Sequence, residues 1–173
     1  KVEFSSESPL FDEDDVVYPP KKVTSTDVIA ETAIGYTADD FSYENTNIKV
    51  TFTVTDGFLE ISPRAYGITT ATDSKTYDGT ALTNATASVV GLVGTETATV
   101  SATGTITNVG TAENTYGDVV WGTAKSTNYV HSDELDDIGT LTVEKATMTI
   151  AATAENVSKT YDGTEYTATK VEF

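Results

Sequence analysis

The side chains whose types and spacing could do chemistry are chiefly carboxylates. Asp12-Glu13-Asp14-Asp15 and Asp133-Glu134 with Asp136-Asp137 offer oxygen donors of the kind Ca²⁺ gathers, about six to eight at a time. Neither run has the alternating spacing of an EF-hand loop. The simpler reading is two solvated loops; the sharper one is Ca²⁺ at the junction between successive modules, where it would stiffen the chain. Nucleophilic chemistry finds less support. There is no Cys, and the one histidine, His131, follows no serine elbow. With 27 acids, no spacing singles out a glycosidase pair. Lys75 or Lys159 with Asn128 or Asn47 supplies the residue types of an isopeptide crosslink, which needs a desolvated lysine, but no spacing selects a pair. A Thr–Gln ester is excluded because the chain has no Gln. The reading is therefore of a protein without catalytic residues, not an enzyme. Asn84-Ala85-Thr86 and Asn156-Val157-Ser158 are glycan sequons. Trp121 beside Tyr116 reads as a core anchor more readily than as a sugar platform.

The elements that must position these residues are β-strands. Threonine occurs 34 times in 173 residues, and a β-branched residue of that kind suits a pleated face turned to water. Ile48, Val50, Phe52 and Val54 alternate with Lys49, Thr51, Thr53 and Thr55, the period of a half-buried strand. Further strands are predicted near 85–93, 97–107, 140–144 and 146–152, punctuated by Asp56-Gly57, Asp78-Gly79, Gly94 and Asp162-Gly163. No apolar run is long enough to span a bilayer. The net charge of −17 repels phosphate backbones and anionic lipid, so neither nucleic acid nor membrane insertion is expected.

Self-similarity is the most informative feature. Ser74-Lys75-Thr76-Tyr77-Asp78-Gly79-Thr80 recurs at Ser158-Lys159-Thr160-Tyr161-Asp162-Gly163-Thr164, an offset of 158 − 74 = 84. Thr26-Asp27-Val28 is echoed by Thr107-Asn108-Val109, Thr46-Asn47-Ile48 by Thr127-Asn128-Tyr129, and Gly57-Phe58-Leu59-Glu60-Ile61 by Gly139-Thr140-Leu141-Thr142-Val143. Lys1-Val2-Glu3-Phe4 returns as Lys170-Val171-Glu172-Phe173. The reading is a divergent module at 1–73 that lacks its first strand, a second module at 74–157, and at 158–173 the opening of a further one.

Lys75-Thr76-Tyr77-Asp78-Gly79-Thr80, Asn108-Val109-Gly110, Asn128-Tyr129 and the closing Val143-Glu144-Lys145-Ala146 together resemble the bacterial YDG/MBG-type surface repeats. The resemblance covers about 74–157 well and residues 5–45 poorly. It implies an all-β fold of tandem immunoglobulin-like β-sandwich modules, an extracellular or cell-surface location and no catalytic residues. Tyr77 and Tyr161 are then expected to be largely buried, with Asp78-Gly79 and Asp162-Gly163 forming the turns.

Function on this reading is structural: a repeat of an extracellular fibre or adhesin stalk whose partners are neighbouring copies of itself. One alternative is a binding module offering Tyr18, Tyr36, Phe41 or Tyr43 to a surface glycan or host protein. Another is a set of separate subunits polymerised by strand exchange, with Glu165–Phe173 inserting into a neighbour.

Overall fold

The computed structural model describes residues 2–153 and 157–166. Lys170–Phe173 and Asn156 of the second sequon lie outside the described residues, as does most of the Glu165–Phe173 strand. The described chain is all-β, its helical content limited to three-residue 3-10 turns at Glu13–Asp15, Ala38–Asp40, Ser126–Asn128 and Asp133–Leu135.

Four short strands come first: β1 (Val16–Val17), β2 (Ile29–Ala33), β3 (Ser42–Tyr43) and β4 (Phe58–Ile61). They form two antiparallel pairs, β1 with β3 and β2 with β4. Eight follow: β5 (Arg64–Thr70), β6 (Asp73–Thr76), β7 (Ala87–Val90), β8 (Ala98–Thr99), β9 (Gly110–Glu113), β10 (Val120–Trp121), β11 (Tyr129–His131) and β12 (Thr140–Glu144). β8 pairs with β10, β5 lies between β11 and β7, and β12 lies between β6 and β9. β5, which the sequence reading assigns to the close of the first module, makes its ladders with β7 and β11.

The ladders of the two halves correspond. Thr140 faces Glu113 and Leu141 faces Ala112 across β12 and β9; Phe58 faces Ala33 and Leu59 faces Thr32 across β4 and β2. Each ladder is closed by the same backbone bond, Asn114 N–H to the Gly139 carbonyl (2.8 Å) and Ile34 N–H to the Gly57 carbonyl (2.9 Å). Val16 opposite Tyr43 likewise matches Ala98 opposite Trp121.

The cores do not correspond. In the second half, alternation along β12 turns Leu141 and Val143 inward onto Leu82 and Ile106, each fully buried aliphatic contributing about 1.5–3 kcal/mol. Ile68 in the middle of β5 is fully buried. In the first half, Phe4, Tyr18, Tyr36, Phe41 and Phe52 pack edge-on or tilted at centroid distances of 5.4–6.1 Å. None of them is buried, and among the described residues no side chain before Gly67 is.

Three strand expectations are corrected. Residues 48–54 alternate in burial, Ile48, Phe52 and Val54 being partly covered, but enter no ladder. Residues 146–152 are wholly exposed and also unladdered. Residues 97–107 form one extended run with Val100, Ala102 and Gly104 buried alternately. That run pairs with β10 only at Ala98–Thr99 and beyond it makes isolated bridges, Ala102 with Tyr116 and Ile106 with Leu82. Strands 85–93 and 140–144 are present as β7 and β12.

Candidate functional site

The first candidate is the YDG turn. After β6, Gly79 takes φ +82° and Gly163, its copy, +77°, a region only glycine enters freely. The Asp78 carboxylate accepts from Lys75 Nζ at 2.7 Å, from the Thr80 N–H at 2.9 Å and from the Thr80 hydroxyl at 2.8 Å. Lys75 Nζ first, then those two donors, hold the Asp78 carboxyl far below the usual carboxylate range. Lys159, Asp162 and Thr164 repeat the arrangement. The expectation that Tyr77 and Tyr161 are buried is wrong: they are 42% and 93% exposed. The turn is latched by Asp and Lys rather than by the ring, and Tyr77 contributes its backbone N–H, which donates to the Glu144 carbonyl at 2.8 Å. Lys75 therefore faces a charged carboxylate, not an asparagine, and the isopeptide geometry is not assembled there. Asn128 is likewise taken up by Asp27.

The second candidate is a His–Asp–Asp cluster. His131 ends β11, and the turn at Asp133–Leu135 brings the chain back beneath it. His131 Nε2 lies 3.0 Å from Asp136 Oδ1 and Nδ1 lies 3.4 Å from Asp133 Oδ1. Among the described residues this is the one group of three potential metal ligands within 4.8 Å of one another. One imidazole and two carboxylates form a donor set better suited to a transition ion than to Ca²⁺. Asp136 already has other work. Its oxygens accept from the Ile68 N–H at 2.6 Å and from the Tyr116 hydroxyl at 3.1 Å, which ties β5 to the loops beside it. Burial raises its pKa, and the bonds from Ile68, His131 and Tyr116 outweigh that and lower it. Asp137 joins β5 through its backbone, accepting from the Thr70 N–H at 3.0 Å. Of the sequence candidates, Asp133 and Asp136 are thus brought together, Asp137 is structural and Glu134 is left in solvent. Asp12 caps its own 3-10 turn by accepting from the Asp14 N–H at 3.1 Å, and Glu13 and Asp14 are exposed while Asp15 is partly covered.

The aromatic candidates turn inward on each other. Trp121 stacks on Tyr129 at 5.7 Å and takes the edge of Tyr66 at 5.2 Å, as a core anchor does. Tyr129 OH accepts from the Val93 N–H and donates to Glu96. Tyr18, Tyr36 and Phe41 belong to the first half's aromatic cluster, while Tyr43 stacks against Phe11 at 6.4 Å. Asn84 of the first sequon is partly covered and donates to Asp73 at 3.0 Å, and a glycan on that nitrogen would replace one of its two N–H donors.

Sequence reasoning missed the contact that joins the halves. Asp27 accepts from Lys125 Nζ and Asn128 Nδ2, both at 2.8 Å, and Asn128 Oδ1 accepts the Val28 N–H at 2.9 Å. The Thr-Asp-Val echo marked the position without saying what it touches. No protein-family model matches this chain, and neither a curated protein nor a solved structure matches it.

The bond from Lys125, then that from Asn128, lowers the Asp27 pKa from its ordinary 3.8. A depressed carboxyl contributes stability above its unfolded pKa and loses it as pH falls through the folded one. The Asp27 side-chain NMR titration is accordingly expected to have its midpoint below 3.8, and Lys125→Ala to move it upward. An unmoved midpoint in that variant would remove the clamp from the account.

Proposed function

We propose that this chain is a non-enzymatic structural element of an extracellular fibre or adhesin stalk, built from immunoglobulin-like β-sandwich units of the YDG/MBG type arranged in series. The observation carrying this reading is the pair of corresponding ladders, β2–β4 and β9–β12, joined by an Asp27 clamp. Two like units held in fixed contact are what a stalk requires. The candidate sites favour it as well: the YDG turn is a latch, the aromatic groups are packed on one another, and the His131 cluster ties loops to β5. Threonine-rich faces and strong negative charge keep such a surface solvated and resist lateral aggregation.

The test is the denatured mass of the native material read beside its electron micrographs. Filaments are expected, made either of a chain at multiples of 18.4 kDa or of separate copies at that mass. Globular particles without filaments at either mass contradict the reading. Retention of the material on a glycan array, lost on changing Tyr18 or Tyr36, would favour a binding module instead.

A further inference from the structure

The His131 group holds one donor atom that the packing of β5 and β11 does not use. Asp136 takes its partners from the protein: the Ile68 N–H at 2.6 Å and His131 Nε2 at 3.0 Å on Oδ1, and the Tyr116 hydroxyl at 3.1 Å on Oδ2. At neutral pH a carboxylate only accepts, so Nε2 carries the ring proton. The Tyr116 hydroxyl also lies 3.4 Å from Nε2, but its own hydrogen is committed to Asp136. Both hydrogen bonds of the imidazole are thus at Nε2. Nδ1 keeps a lone pair, and it faces Asp133 Oδ1 at 3.4 Å, beyond an ordinary N–H···O bond.

Two acceptors at that spacing repel each other unless a cation lies between them. Two donors about 2.0–2.2 Å from one ion at a tetrahedral angle stand about 3.4 Å apart, which is the separation of Nδ1 and Oδ1 here. The ring is held in place by Asp136 at Nε2 and by the rings of Tyr66 at 5.3 Å and Tyr116 at 6.3 Å. Access is open: the side chain of His131 is 32% exposed and that of Asp133 96%, so the carboxylate can adjust to an ion without moving the backbone. The local field favours a cation as well. Asp133, Glu134, Asp136 and Asp137 lie within five residues, and 126–144 contains no Lys or Arg. Among the described residues, neither Asp133 nor Asp136 pairs with a Lys or Arg. The other acidic run, Asp12–Asp15, has comparable charge but no imidazole, since His131 is the chain's single histidine.

We propose that His131 Nδ1 and Asp133 Oδ1 bind a divalent transition ion of the Zn²⁺ class, with Asp136 as the outer carboxylate that orients the imidazole. A carboxylate on the far nitrogen of a metal-binding histidine fixes its tautomer and makes the near nitrogen a better donor. The nitrogen donor disfavours Ca²⁺ and Mg²⁺, which gather oxygens. Water completes the coordination, so the site is open to solvent. A bound ion ties the end of β11 to the Asp133–Leu135 turn, and so stiffens the loop that already braces β5 through Asp136.

With one histidine in the chain, its imidazole ¹⁵N signals need no assignment. In the metal-free full chain at slightly alkaline pH, they are expected to show the Nε2–H tautomer. Added ZnCl₂ is expected to convert the Nδ1 signal from a free lone pair to a metal-bound nitrogen while Nε2 keeps its proton, and CaCl₂ at the same concentration to leave Nδ1 in place. Asp133→Ala, on an exposed side chain, is expected to weaken Zn²⁺ binding at least tenfold with unchanged circular dichroism. An Nδ1–H tautomer in the metal-free chain, Zn²⁺ bound at Nε2, no response of either nitrogen to Zn²⁺, an equal response to Ca²⁺, or an affinity unmoved by Asp133→Ala each overturns the inference.

Discussion

Ile68→Ala is expected to lower the unfolding free energy of the monomeric chain by about 2–5 kcal/mol, and Ile150→Ala to leave it unchanged. Ile68 is fully buried, opposite Val89 on β7, so truncation removes its transfer energy and leaves a cavity. Ile150 projects into solvent, and its truncation costs the monomer nothing beyond propensity. Urea unfolding of the two variants beside the parent chain reads the difference. Equal destabilisation by the two substitutions would mean that 146–152 is already packed in the monomer.

Asn114→Ala is expected to cost about 1–3 kcal/mol for each carbonyl it strands. Asn114 is 0% exposed and donates from one nitrogen to the Ala71 carbonyl at 2.8 Å and the Asn84 carbonyl at 2.9 Å. It thereby pins the loop after β5 and the loop before β7 to the end of β9. Both neighbours are acceptors, which fixes the amide orientation. Asn114→Asp sharpens the test. A buried carboxylate facing two carbonyls has its pKa raised, so its destabilisation is expected to be larger at pH 7 than at pH 4, where the neutral acid can donate once. A loss independent of pH would point to packing alone.

The β class was legible in the sequence because threonine content and period-two alternation act locally. Leu141 and Val143 alternate with Thr140, Thr142 and Glu144 and do form a strand. Ile48–Val54 shows the same pattern and lies in no ladder, because alternation specifies which face a residue presents and says nothing of whether a neighbour is there to pair with. Tyr77 was misread because a turn signature does not disclose which of its side chains does the holding; the acceptor capacity of Asp78 and the reach of Lys75 decide it. Asp27 and Asn114 were illegible for another reason. Their partners lie about 100 and 30–43 residues away in sequence, distances over which no local pattern operates. The His131 cluster needed a turn to fold Asp136 back, and spacing alone did not reveal it.

Electron micrographs of the native material, read beside its denatured mass, test the central claim most directly. Filaments are expected, built from chains at 18.4 kDa or at its multiples. Globular particles without filaments at either mass would contradict the account.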